Sequence, residues 1–217
     1  MRSKAKVKTL RSKGIGGTYI YIKDVPDGLS KEKVLIYLES NVKVWAESKY
    51  KSQLTVQINV EDGSIKVWIA IGAISLLQLV SEYGSIRTGV DYLVKDSREL
   101  SEYVITQLKA EDNIPDNAIS RTEKRLGVPG KIQRYFKDID KVNNLELSHN
   151  ERQEKIEILK REFILILELL ENEQDRNAFV EELPTFCLPS PNEPWPEPIH
   201  GAFTLQSFRD DREFVNN

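Results

Sequence analysis

The chain has 217 residues, with 40% apolar and 30% charged residues and a net charge of −3. That balance excludes a disordered polymer, and the single cysteine, Cys187, excludes an intrachain disulfide and suits a reducing, cytoplasmic setting. The uncharged run from Val67 to Val80 falls short of the ~20 residues a membrane helix needs, so no integral membrane segment is expected.

Six bases and no acid stand between Met1 and Gly14: Arg2, Lys4, Lys6, Lys8, Arg11 and Lys13. No apolar core follows them, so a secretory leader is not expected, and residues 1–16 read as a flexible basic arm. "GIGG" at Gly14–Gly17 resembles part of a phosphate-binding loop, but it precedes a strand instead of opening a helix, so it reads as a hinge.

"TYIYIKD", Thr18 to Asp24, is rich in β-branched and aromatic residues and reads as a strand that Pro26, Asp27 and Gly28 close. Ser30 then caps a helix to about Lys49, with Val34, Leu38, Val42 and Trp45 as its apolar stripe. "LTVQINV" and "IKVWIAI" alternate apolar and other residues on either side of Asp62-Gly63, the signature of a hairpin with a type I′ turn.

From Ala73 the apolar period becomes helical, through Leu76, Val80, Tyr83, Ile86, Val90 and Val94, with Gly84 and Gly89 marking a kink, a break or close packing. The rival assignment makes "GVDYLVK" a fourth strand, giving a βαββαβ order like a ferredoxin-like fold. The helical period favours helix, and Asp96 or Ser97 would cap a further helix with Leu100, Tyr103, Val104 and Leu108 on its stripe. Residues 17–110 thus form an α+β unit with a small antiparallel sheet of three strands, or four under the rival assignment.

Polar Lys109 to Ser120, with Pro115, reads as a linker, and residues 111–183 read as helical. Two short helices are expected at about 117–126 and 129–141, split at Gly127, with Pro129 starting the second. "SHNE" at Ser148–Glu151 is a capping box opening a helix to about Glu173. Ile156, Leu159, Phe163, Ile166 and Leu170 are spaced 3, 4, 3, 4 along it, the seam of a helix pair. Ile158, Ile164, Leu165, Leu167 and Leu169 add apolar surface on other sides, so the helix needs several partners. Residues 184–217 hold six prolines between Pro184 and Pro198 together with Trp195 and Phe203, and read as an extended tail suited to docking.

"RLGVPGKIQRYFKDI", Arg125 to Ile139, resembles the turn and second helix of a helix-turn-helix. Its surroundings are basic, and Lys124, Arg125, Lys131, Gln133, Arg134 and Lys137 would be the nucleic-acid contacts. Glu123 departs from that motif, standing where a close crossing wants a small residue, and Ile132, Tyr135, Phe136 and Ile139 describe a core-facing helix equally well.

The catalytic inventory is thin. His149 and His200 are the only histidines, Cys187 with His200 is the one conceivable Cys–His pair, and no nucleophile elbow or metal-ligand spacing is present. Pairs such as Glu181 with Glu182 or Asp210 with Asp211 read as solvated faces. No catalytic residue, metal or cofactor is assigned.

The expectation is a non-enzymatic interaction or accessory protein working in a multiprotein assembly or a homo-oligomer. Its contact residues would be Ile156, Leu159, Phe163, Ile166, Leu170, Trp195 and Phe203. The alternatives are a nucleic-acid-binding module and an enzyme with a dispersed acidic, metal-dependent site.

Overall fold

The computed structural model describes residues 13–188, apart from positions 24, 26, 51, 53, 62, 63, 81, 82, 113 and 145. The basic arm before Lys13, the Asp62-Gly63 turn and the tail beyond Leu188 lie outside the described residues.

Strand β1 (Lys13–Ile22) leads to helix α1 (Lys31–Lys49) and the strands β2 (Leu54–Glu61) and β3 (Ile65–Ala73). Ser30 caps α1 by accepting from the Lys33 amide at 3.3 Å, and Val34, Leu38, Val42 and Ala46 are its buried residues. Trp45 is half-buried and stacks on Tyr103, with ring centroids 6.1 Å apart. The strands pair antiparallel, and the alternation in β3 buries Ile65, Val67, Ile69 and Ile71.

Helix α2 (Leu76–Val80) and helix α3 (Ile86–Asp112) follow, broken at Gly84, whose φ is +84°. "GVDYLVK" is helical, as the period requires. At Gly89 the expected close packing is present: a Cβ there would lie 2.1 Å from that of Val80, so α2 meets α3 through missing side-chain volume. Asp96 and Ser97 do not start a new helix; α3 runs straight through them. Ser97 donates back to the Leu93 carbonyl at 2.9 Å, and Asp96 accepts from Lys49 at 3.4 Å. Their polarity serves tertiary contacts that mimic capping residues in the sequence.

A 3-10 turn (Asp116–Ala118) then delivers strand β4 (Ile119–Arg125), and the sheet order is β2-β3-β1-β4. The helix expected over 117–126 is therefore a strand, and the supposed linker carries the chain back into the first sheet. The βαββαβ order exists, with its fourth strand some thirty residues later than the segment that first suggested it. "GIGG" is likewise part of β1, not a hinge. A Cβ on Gly16 would lie 2.0 Å from the Ser97 hydroxyl, so glycine lets α3 settle onto the strand.

Gly127, at φ +57°, turns β4 into helix α4 (Gly127–Asn144). Helix α5 (His149–Leu169) opens with the Ser148–Glu151 capping box and ends earlier than expected, because Asn172 caps helix α6 (Glu173–Glu181) through a 2.8 Å bond from the Gln174 amide. The expected extended tail begins instead with a 3-10 turn (Thr185–Cys187) that buries Cys187 completely. Tyr135, Phe136, Phe163 and Phe179 bring α4, α5 and α6 together, with Phe179 within 5.8 to 6.2 Å of the other three rings.

Candidate functional site

Four places carry enough polar or exposed chemistry to be weighed. The first is the expected nucleic-acid set. Because 119–125 is a strand, its side chains alternate across the sheet instead of sharing a helix face. Lys124 turns to the helix side and pairs with Glu102 at 3.6 Å. Arg125 takes the other side, is 3% exposed, pairs with Glu123 and lies over the Trp68 ring, 5.5 Å from its centroid. On α4, Gln133 donates to Asp91 of α3 at 2.6 Å and Lys137 donates to Gln133, whereas Lys131 and Arg134 face α5. The six residues thus point in at least three directions, and the helix-turn-helix geometry is replaced by strand and helix.

The second place is the outer face of the sheet. Among the described residues, α1 and α3 pack on the side of Ile20, Val67 and Ile69; Thr18 on that side shares a 2.9 Å hydrogen bond with Ser101 of α3. Helix α4 meets β1 at its Gly14 end. Opposite lie Tyr19 and Tyr21 of β1, Trp68 of β3, and Arg121, Glu123 and Arg125 of β4. Register sets Tyr19 between Trp68 and Glu123, and the Tyr19 and Trp68 rings are 4.3 Å apart. Glu123 pairs with both Arg121 and Arg125. Burial raises the Tyr19 hydroxyl pKa above its ordinary value, while Arg121 pulls it back. The alternation of "TYIYI" and "IKVWIAI" placed the aromatics on this side; their meeting with β4 needed the strand order.

The third place is the α4–α5 groove. A cavity of about 410 Å³ is lined by Tyr135, Leu165, Ile166 and Leu169 with Lys131, Arg134, Asp138, Glu162 and Glu168, and a smaller one of about 210 Å³ continues it past Asp138 and Glu162 to Ile158, Lys141 and Lys155. Desolvation and the neighbouring Asp138 charge hold the Glu162 carboxyl above its ordinary pKa, against the pull of Arg134. Of the expected contact residues, Leu159, Phe163, Ile166 and Leu170 are at most 4% exposed and Ile156 is half-buried, so the heptad seam is spent on the chain's own core. Trp195 and Phe203 lie outside the described residues. The apolar surface on α5 is elsewhere: Leu165 is 59% exposed, Ile158 40% and Ile164 39%.

The fourth place is a set of buried polar groups. Asp175 of α6 is 3% exposed and accepts from the Ser75 hydroxyl and the Leu76 and Leu77 amides at 2.7 to 2.8 Å. It caps α2 from a distance and ties the C-terminal helices to the sheet unit, a structural role. Cys187 sits beside the Tyr135 hydroxyl in the core, and burial pushes both groups above their ordinary pKa values, which makes the thiol a poor nucleophile. His149 is exposed at the start of α5, and His200 lies outside the described residues. Among the described residues, no group of three or more His, Cys, Asp or Glu side chains could hold a metal ion, and no helix is long and apolar enough to cross a membrane.

No protein-family model matches the chain, no curated protein matches it, and no solved structure matches it.

Proposed function

We propose that this protein is a non-enzymatic interaction protein that assembles through the exposed side of α5 and the α4–α5 groove, and that the partner is a second copy of the chain. The observation that carries the reading is Leu165, a large apolar side chain 59% exposed at the lip of the groove, with Ile158 two turns away. Large aliphatic groups spaced seven apart on one helix face need a second helix to leave water.

Charge favours a self-complementary pairing. Ile158, Glu162, Leu165 and Leu169 follow one another at spacings of 4, 3 and 4 along α5. If two α5 helices lie antiparallel about a two-fold axis between Arg161 and Glu162, Ile158 meets Leu165 of the second copy. In the same register Arg161 meets Glu162, and Lys155 meets Glu168. An isologous interface requires that each residue's partner also lie on the same surface, and this register satisfies that condition for an apolar pair and two ion pairs at once.

The test is the mass in solution by sedimentation and light scattering across the micromolar range. Leu165→Glu should turn a dimer into a monomer, because it places four carboxylates near the axis, counting Glu162 of each copy. Arg161→Glu or Glu162→Arg alone should weaken association at least tenfold, and the two together should restore it. A wild-type chain that stays monomeric at 200 μM, or single charge reversals without effect, would sink the reading.

A further inference from the structure

The outer face of the sheet poses a question of cover. The helices that pack broadly on the sheet do so from the other side, yet Ala70 in the middle of the outer face is 0% exposed, Tyr19 is 8% exposed and Arg125 is 3% exposed. A guanidinium is rarely so buried unless other groups close over it. Glu123 and the Trp68 ring supply two of its contacts. By register, polar Thr55, Gln57 and Asn59 of β2 and charged Arg121, Glu123 and Arg125 of β4 flank this face, and its centre is Tyr19, Trp68, Ala70 and Gly17.

The chain supplies a segment with matching chemistry. Residues 189–217 contain Pro189, Pro191, Pro194, Pro196 and Pro198, with Trp195, Phe203, Leu205, Phe208 and Phe214. Proline-rich segments dock on surfaces of aromatic rings, because a stiff chain loses little entropy and proline packs flat against a ring. Five acids (Glu193, Glu197, Asp210, Asp211, Glu213) against Arg209 and Arg212 leave the segment at −3, whereas Lys66, Arg121 and Arg125 outnumber Glu61 and Glu123 on the face. Reach is ample. Cys187 is pinned in the core, and from Leu188 a further 29 residues can span up to roughly 95 Å, against a radius of gyration of about 16 Å for a domain of this size.

We propose that residues 189–217 dock in cis on the outer sheet face, over the Tyr19–Trp68 pair, with their acidic residues toward Arg121 and Lys66. The chain then carries its own ligand for a second interaction surface, separate from α5. A stronger proline-rich or aromatic peptide from another protein would compete for that face.

The experiment uses the full chain with the photo-crosslinking residue p-benzoylphenylalanine in place of Phe203 or, separately, Phe208. Illumination followed by peptide mass mapping should join each position to peptides containing Tyr19, Trp68 or Arg121, within one chain, with a yield that does not change on tenfold dilution. Arg121→Glu, at an exposed position, should cut that yield severalfold with the circular dichroism spectrum unchanged, and Trp68→Ala should do the same. Crosslinks to α4 or α5, crosslinks between copies, or none at all would each overturn the proposal. So would crosslinks to the sheet that Arg121→Glu and Trp68→Ala both leave at full yield.

Discussion

Strands β1 and β4 lie side by side and register directly, Ile20 opposite Thr122, but they reached the sheet by different physics. β1 reads as a strand on its own residues: Thr18, Tyr19, Ile20, Tyr21 and Ile22 have side chains that suit a pleated, buried surface, and Ile20 and Ile22 are 0% exposed. β4, "ISRTEKR", is an edge strand of the described sheet, and Ser120, Arg121 and Thr122 are exposed. Nothing in it alternates apolar with polar. Its conformation is supplied by hydrogen bonding to β1 and by the Glu123 pairs across the outer face, not by local preference. A central strand is written in its side chains; an edge strand of this kind is written in its neighbour.

The largest effect should follow from breaking that contrast at the paired position. Ile20→Ala removes buried methylene groups from the main core and should cost about 3 kcal/mol, within the roughly 2 to 5 kcal/mol range for such truncations. Thr122→Ala, directly opposite on an exposed edge, should cost less than about 0.5 kcal/mol. Urea melts of the two variants decide the matter, with the m-value checked for constancy. Equal costs would mean that β4 contributes to the core as much as β1.

This contrast also explains what could be read from the residues alone. The α+β class, the cap at Ser30, the hairpin strands, the capping box at Ser148 and the helical state of "GVDYLVK" all rest on local signals and are all present. The fourth strand is hidden in the sequence because Arg121, Glu123, Lys124 and Arg125 look like a charged helix face, and only the sheet shows that they divide between two sides. Gly16 reads as a hinge in the sequence because the reason for a missing side chain, the Ser97 hydroxyl, lies 81 positions away. Asp175 gave no signal at all, since its three donors are on α2 and before it. The 3, 4, 3, 4 spacing on α5 predicts a contact surface for a partner, whereas Leu159, Phe163, Ile166 and Leu170 are buried in the chain's own core. The neighbouring stripe with Ile158 and Leu165 reads in the sequence as additional apolar surface, and exposure singles it out.

A middle-sized effect should come from the point where β1, β4 and α3 are joined. Thr18, 0% exposed, shares its hydroxyl with Ser101 and donates to the Glu123 carbonyl at 3.1 Å. Thr18→Val keeps the shape and removes both bonds, leaving the Ser101 hydroxyl and a carbonyl short of a partner. The expected loss is about 1 to 2 kcal/mol. Hydrogen exchange should report where it falls: amides of β4 should lose protection more than those of β3, since β3 keeps its other neighbour, β2. Uniform loss across the sheet would show β4 to be as firmly integrated as the centre.

The smallest effect is electrostatic and lies in the groove where α4 and α5 face each other across Asp138 and Glu162. Desolvation, reinforced by Asp138, places the folded-state pKa of Glu162 above its ordinary value of 4.5. The folded chain therefore binds this proton more tightly than the unfolded chain does, and stability from this group falls as pH rises through the carboxylate range and just above it. Glu162→Gln removes the penalty. At pH 7 and at concentrations too low for association, the variant should be slightly more stable than wild type, by less than about 1 kcal/mol because the site is half-open to water. The difference should shrink as pH falls below 4.5 and vanish only where the carboxyl is protonated in both the folded and the unfolded chain. In a dimer built on the α5 register, Arg161 of the second copy would face Glu162 and favour its charged form. The same substitution should then destabilise at high concentration, so the sign of its effect, read by thermal melts at two concentrations, tests the pairing with the charge that the isolated chain holds least comfortably.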